Sequence, residues 1–416
     1  MSITRRGIAV LGATALSGLI LPAGAAVVLF LIALAVVVTD AWQARGVPEV
    51  AVSVPPVLSR GVASTISVEV SPSRATAVKL AQSPDLRIHP NQGAGGLTAT
   101  ITALRRGSHA IPAVATRREG PFGLGRWYHR AGEETKVVVY PNMPAARRIA
   151  TEVRLGRFGD TSRRSRGPLG LGTELESIRE YLPDDDIRQV NWRATARLGT
   201  PMSNTYRVEQ EREVLVLLDT GRLMMAPVGD GTERTRLDVA VDAAAAVAAV
   251  ADVVGDRIGL IAFDGSIRRR MSPRRDGGDV VVTAIHDLEP NPTESDFELA
   301  FRTIAHNKRA FVLLLTDLLE ETASRPLLEA IPILSRHHSF AVAGVSDPAV
   351  AAALSTPARQ AADAFRTAVA VDIEKSRRSV ASTLTGYGAT VVDVPAEQLP
   401  RRCVSVYLRA KRRARL

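Results

Sequence analysis

The chain has 416 residues, with 53 Lys and Arg against 43 Asp and Glu, a formal net charge of +10, and 46% hydrophobic residues but only 4% aromatics. That length holds two or three domains, and the charge favours acidic partners: anionic lipid, nucleic acid or an acidic protein. A single cysteine, Cys403, excludes an intramolecular disulfide and any zinc site built from cysteine pairs.

Residues 7–38 carry no charge. A helix needs about 20 apolar residues to cross a bilayer, and Pro22-Ala23-Gly24 interrupts this longer run with residues that break helices. The halves 8–21 and 25–38 predict a transmembrane helical hairpin within residues 1–46; a single tilted, kinked span is the rival. Arg5 and Arg6 precede the run and Arg45 follows it. Basic flanks stay on the cytoplasmic side. A hairpin satisfies that rule at both ends, which places the bulk of the chain on the cytoplasmic face of the inner membrane. A secretory signal competes with this reading, with a basic leader, a twin-arginine pair at Arg5-Arg6 and a small-residue site at Ala23-Gly24-Ala25. The apolar run, however, continues well beyond that site.

Residues 47–144 carry short β-branched runs at 50–54, 65–70, 77–80, 97–104, 110–116 and 136–140, separated by Gly, Pro, Ser and Asn. Ile66-Ser67-Val68-Glu69-Val70 alternates apolar and polar residues. This pattern predicts a small antiparallel β-sandwich acting as a scaffold, with Phe122 of the Gly120–Leu124 turn plugging it. Residues 145–212 combine a basic stretch with a charged signature. The stretch holds Arg147, Arg148, Arg154, Arg157, Arg163, Arg164 and Arg166, and reads as a mobile connector. It either lies on anionic lipid or is simply solvated.

The signature follows at residues 179–197. Arg179, Glu180, Tyr181, Asp185, Asp186, Arg188, Asn191, Trp192 and Arg197 place dense charge around two large aromatics. Such charge is costly to bury unless it pairs. One reading is a docking patch for a protein partner. The other is a clamp of Arg–carboxylate forks with Trp192 as a hydrophobic plug.

Residues 213–416 alternate apolar strands with helices. Strands are predicted at 214–218, 257–263, 311–315, 340–345 and 389–394. Helices are predicted at 237–254, 278–288, 296–307, 326–336, 357–384 and 398–413. Strands apolar throughout and alternating with helices argue an α/β domain with a parallel sheet covered on both faces. Ala243–Ala246 would let one helix approach the sheet closely. Asp219 and Asp317 follow the carboxyl ends of two strands, the edge where open α/β sheets bind ligands. Carboxylates and hydroxyls converging there would suit Mg²⁺; the competing reading has both carboxylates held by amides at helix starts. His337-His338 closes a helix, where a cation favours the dipole.

The order of these elements resembles a von Willebrand factor A domain, a Rossmann-like fold that often carries a metal-ion-dependent adhesion site. The 179–197 run, taken with the membrane segment and the β-rich section, resembles the bacterial domain-of-unknown-function-58 family. Members of that family are usually thought of as partners of MoxR-type AAA+ ATPases. The resemblance implies Asp219 as the first aspartate of the metal motif, Thr293 as its threonine and Asp317 as its late aspartate. Gly221 and Leu223 stand where two motif serines would be and offer no oxygen, so the site is degenerate; no cofactor is certain, and Mg²⁺ there would need water in place of a hydroxyl.

No nucleophile motif involves the seven histidines, and no Gly-x-x-x-x-Gly-Lys-Ser/Thr loop is present. Catalysis and ATP hydrolysis are therefore not expected. No recognised nucleic-acid motif accompanies the arginines, so the membrane is the simpler anionic partner. The expectation is a membrane-anchored, non-enzymatic adaptor or scaffold that docks a MoxR-type ATPase and client proteins. Its rivals are an outward-facing metal-dependent adhesion protein and an unrecognised enzyme of envelope assembly.

Overall fold

The computed structural model describes residues 1–72, 76–158, 169–170, 174–182, 185–187, 190–207, 212–304, 309–317 and 321–413. The chain separates into two compact units, Met1–Asn142 and Met143–Leu416.

In the first unit the apolar run forms helix α1 (Arg5–Leu16), a 3-10 turn (Ser17–Leu19) and helix α2 (Ala23–Gln43). Thr4 caps α1 by accepting from the Gly7 amide at 3.1 Å. Pro22 stands at the N-cap of α2, where its missing N–H costs nothing. Among the described residues α2 is the one helix long and apolar enough to cross a membrane, and only 11% of its apolar window is buried. The twelve residues of α1 are about 18 Å long, short of a bilayer core.

The β strands of this unit, Ser2–Ile3 included, form sheets of four, five and three strands. The four-stranded sheet is antiparallel, in the order Glu49–Ser53, Ala63–Ser71, Gly96–Ala103, Leu86–His89. Alternation sends Ile66, Val68 and Val70 inward to one core, with Val78, Leu80, Ile101, Val137 and Val139 from all three sheets. Phe122 does not plug this core. It is 68% exposed, because its turn is held from outside by α2.

The second unit opens with helix α3 (Met143–Arg154). The basic stretch is thus no connector over these residues. Met143, Ala146, Ile149 and Ala150 are buried along one face, and α3 packs against α5 (Arg236–Val253). Glu152 pairs with Arg401 at 2.6 Å. Arg163, Arg164 and Arg166 lie outside the described residues. The signature then forms a small sheet of Leu169–Gly170, Met202–Arg207 and Glu174–Glu180, in that order, with helix α4 (Trp192–Leu198).

Six strands make the main sheet: β1 (Glu213–Asp219), β2 (Arg257–Phe263), β3 (Ile267–Arg274), β4 (Ala310–Leu315), β5 (Ser339–Val345) and β6 (Thr390–Val394). Their order is β3-β2-β1-β4-β5-β6. All neighbours are parallel except β2 and β3. The sheet is therefore mixed, with an antiparallel edge strand where the alternation of apolar strands and helices predicts a wholly parallel one. β3 carries Arg268, Arg269, Arg270 and Arg274 and has no apolar run to betray it; charge of this kind protects an edge. The connecting helices are α6 (Gly278–Ile285), α7 (Phe297–Ile304), α8 (Glu321–Leu334), α9 (Pro348–Ser355), α10 (Ala361–Gly386) and α11 (Leu399–Arg413). Ala243–Ala246 of α5 are at most 1% exposed, the small residues letting the helix sit close.

His338 is not a dipole-neutralising cation. It is buried, its Nδ1 accepts from the Ala310 amide at 3.2 Å, and burial, then His337 and Arg309, hold its imidazole below the ordinary range. At the same edge of the sheet, just before β2, buried Asp256 accepts from the Tyr407 hydroxyl and from Lys411 Nζ at 2.7 Å, which fixes α11.

Candidate functional site

β1 and β4 are parallel neighbours, yet β1 leads to β2 on one side and β4 leads to β5 on the other. Connections leave in opposite directions there, which opens a crevice at the carboxyl ends of the two strands. Asp219 ends β1 and is 1% exposed. Its Oδ1 accepts from the Gly221 amide at 2.8 Å and the Ser295 hydroxyl at 2.5 Å. Its Oδ2 accepts from the Thr316 hydroxyl, just beyond β4, at 2.6 Å. Burial pushes this carboxyl above the ordinary range, against the pull of Ser295, Thr316 and Gly221; nearby Asp264 adds to the rise.

Ser295 and Thr316 were not legible as partners of Asp219. The place of Ser295 has a clear reason: a Cβ on Gly221 would overlap the Ser295 hydroxyl. The residue missing an oxygen in sequence makes room for one arriving from another loop. Thr293 does not turn to Asp219. Its hydroxyl donates to Asn291 Oδ1 at 3.0 Å, and its carbonyl accepts from the Arg222 amide at 2.9 Å.

Asp317 is 4% exposed and, among the described residues, is held by two arginines. Arg236 stands at the first residue of α5, set there by the Thr235–Asp238 capping box. A helix N-terminus opposes a cation, so Arg236 depends on its pairing with Asp317 and, at 3.6 Å, with Asp347. Arg377, on α10, donates to Asp317 at 2.7 Å, to both oxygens of Asp393 at 3.2 Å and to the Val345 carbonyl at 3.2 Å. Burial and the neighbouring Arg377 lower Arg236 to about 10, so it stays charged at neutral pH.

These residues do not fit Mg²⁺. The ion requires a near-octahedral set of oxygen ligands. Asp317 faces two guanidiniums that would repel it, Thr293 points elsewhere, and the Asp219 oxygens already accept three donors. Among the described residues no group of three or more His, Cys, Asp or Glu converges as metal ligands would. The two arginines bring Asp317 the positive charge that a divalent cation would otherwise supply.

The Asp219 environment predicts a pH signature. A carboxyl whose folded pKa lies above its unfolded value binds protons more readily in the native state. Its stabilising contribution is present below the unfolded value near 3.8 and is lost as pH rises through the raised native value. Asp219→Asn should remove that slope. Unfolding midpoints of wild type and variant, measured from pH 4 upwards, should diverge in the variant's favour as pH rises; parallel curves would contradict the burial argument.

The signature residues fall into two braced groups. Arg179 forks onto Asp185 at 2.8 and 2.5 Å. The Asp185 carboxylate also accepts from the Leu182 amide at 2.9 Å, and the Tyr181 hydroxyl donates to the Asp185 carbonyl at 2.9 Å. The bond from Arg179, then that from Leu182, lowers the Asp185 carboxyl below its ordinary range. Asn191 caps α4 through the Ala194 amide at 2.9 Å and donates to Asn204 Oδ1 at 2.7 Å. Trp192 is not a plug. It is 70% exposed, as is Ile187, with Leu182 and Leu198 exposed as well. Glu180, Asp186 and Arg197 are also exposed, and Arg188 lies outside the described residues.

Residues 177–381 match the model of a family described as protein of unknown function DUF58. The match begins in the signature strand, covers the carboxyl edge with Asp219 and Asp317, and ends within α10. Uncharacterized proteins of Mycobacterium tuberculosis and Mycobacterium bovis are each 28% identical over 187 residues, covering 43% of this chain and 56% of theirs. The chain thus spans a little over half the length of the curated relatives it matches.

Proposed function

We propose that this chain is a membrane-anchored, non-catalytic adaptor, whose von Willebrand factor A-like domain docks a MoxR-type AAA+ ATPase together with client proteins. The observation that carries this reading is the exposure of Trp192 and Ile187 on a frame braced by the Arg179–Asp185 fork and the Asn191 cap. Large apolar side chains held rigidly in water are the usual anchors of protein interfaces, Trp above all. The strand–helix alternation, with acids at the carboxyl ends of adjacent strands, supports the von Willebrand factor A-like assignment. The internal pairing of Asp317 supports recognition by contact and not through a bridging cation. The apolar, unburied α2 supports the anchor, and the basic flanks Arg5, Arg6 and Arg45 support a cytoplasmic orientation of the bulk of the chain.

The test is affinity capture of the full-length tagged chain from detergent extracts of its own cells. A MoxR-type ATPase should be recovered, and Trp192→Ala should weaken the purified complex by about 2 kcal/mol, roughly 30-fold in Kd. Recovery without any AAA+ ATPase, or full affinity in the variant, would sink the reading.

A further inference from the structure

In the unit Met1–Asn142 the helices and the β strands meet at one turn. Strand Val114–Glu119 passes into strand Gly125–Ala131 through Gly120-Pro121-Phe122-Gly123-Leu124. Three amides around that turn, those of Phe122, Leu124 and Gly125, donate to the Asp40 carboxylate at 2.8, 2.7 and 2.8 Å. Asp40 lies near the end of α2 and is 1% exposed. The start of α1 reaches the same turn. The Thr4 amide donates to the Leu124 carbonyl at 2.9 Å, the Thr4 hydroxyl donates to the Gly123 carbonyl at 2.7 Å, and Ser2–Ile3 pairs with Arg126 and Gly125. The approach is close: a Cβ on Gly120 would overlap Asp40, and one on Gly125 would overlap Ala41. The first turn of α1 and the last turns of α2 are therefore fixed to one turn of the β-rich unit.

α2 sets the depth of that turn. It is apolar up to Val38, and Thr39 and Asp40 follow. From Ala23 to Asp40 it extends about 27 Å, close to the thickness of a bilayer core. A membrane crossed by α2 thus ends near Asp40, and the turn bound to Asp40 lies among the headgroups. What the turn presents suits that level. Phe122 is exposed without a partner in the core, and Trp42, one turn end away on α2, is 57% exposed with the Arg45 guanidinium 3.8 Å from its ring centre. Arg5 and Arg6 are exposed at the start of α1, and Arg126 donates to Ser2 at 2.8 Å beside the turn. Asp40 is held by three backbone amides, and Glu119, opposite Arg126, pairs with Arg117 at 3.6 Å; Arg5, Arg6, Arg45 and Arg126 outnumber these two acids. Aromatic rings with arginines at the end of an apolar helix make an interfacial belt, and anionic lipid attracts each such basic residue by about 1 kcal/mol.

We propose that the Gly120–Gly125 turn is a lipid-contacting wedge: Phe122 enters the headgroup layer of an anionic bilayer, and Arg5, Arg6, Arg45 and Arg126 hold lipid phosphates around it. The proposal rests on α2 being a membrane span. It makes the β-rich unit a body seated on the membrane surface, not a spacer hanging from a flexible tether. Asp40 is the positioning residue, since its bonds to three amides set the level of the turn against α2.

Depth measurement on the full-length chain tests this. Single cysteines at Phe122→Cys, Thr65→Cys and Ile32→Cys would carry an environment-sensitive fluorophore; native Cys403 is fully buried, with its thiol pushed up to about 12, and does not compete. The Asp40 bonds are made by backbone amides, so Phe122→Cys leaves them intact. The chain is reconstituted in phosphatidylcholine vesicles with and without phosphatidylglycerol, containing lipids spin-labelled near the headgroup or deep in the chain. The label at 122 should be quenched by shallow spin labels, more strongly with phosphatidylglycerol present. The label at 32 should be quenched by deep ones, and the label at 65, on the other sheet, by neither. Quenching at 32 with none at 122 overturns the wedge and leaves the span standing. Absence of quenching at 32 overturns the span and the wedge together. Equal quenching at 122 in both lipid mixtures overturns the assignment to anionic lipid.

Discussion

Replacing Arg377 by methionine is expected to destabilise the Met143–Leu416 unit by about 3–5 kcal/mol, the cost of leaving a buried charge without its partner. Arg377 is 6% exposed and ties α10 to the ends of β4, β5 and β6 through Asp317, Asp393 and the Val345 carbonyl. Methionine keeps much of the stem's volume, so the loss is electrostatic and not a cavity. Among the described residues Asp317 then retains Arg236, and Asp393, whose carboxyl burial raises while Arg377 and Arg236 pull it down, loses the stronger of those two pulls. The double variant Arg377→Met, Asp393→Asn should recover part of the loss, since Asp317 keeps Arg236 and the Asp393 carboxylate no longer stands without Arg377. Denaturant unfolding of the full chain in detergent measures both. A single-variant loss below about 1 kcal/mol, the worth of an ordinary surface pair, would show that the network carries no buried charge.

Asp40→Ala should cost about 4 kcal/mol in the Met1–Asn142 unit. Each hydrogen bond to a charged group contributes roughly 1.5–3 kcal/mol, and this carboxylate accepts three. The amide of Gly125 is buried and would be left unpaired, which makes the loss larger than solvent-exposed bonds would give. Asp40→Asn keeps one acceptor oxygen and should fall between wild type and alanine. Hydrogen exchange reads the effect locally: the amides of Phe122, Leu124 and Gly125 should exchange faster in the alanine variant, whereas amides paired between Ala63–Ser71 and Gly96–Ala103 should not. Unchanged protection at the turn would mean that Thr4 and the Ser2–Ile3 pairing hold it without Asp40.

Much of the second unit was legible because burial on both faces leaves a mark in composition. β1, β2, β4 and β5 each read as an unbroken apolar run, and such runs have no stable place except a covered sheet. β3 escaped because an edge strand needs no apolar face and is protected by the arginines that disguise it. α3 escaped for a different reason. Its buried residues, Met143, Ala146, Ile149 and Ala150, follow helical spacing, but the arginines between them dominate the composition. That spacing was a usable signal, and a face-by-face count would have found the helix.

The amino-acid sequence by itself determined where the apolar helix, the alternating strands and the covered sheet lie, because hydrophobic burial depends on local pattern. It also marked Asp219 and Asp317 as acids at strand ends. Only the tertiary structure decided what those acids do. Asp317 meets Arg236 and Arg377, Asp219 meets Ser295 in the space that Gly221 leaves open, and Asp40 meets amides beyond residue 120. A carboxylate's role follows from the donors and cations around it, and here those come from segments far apart in the chain, which no local pattern records.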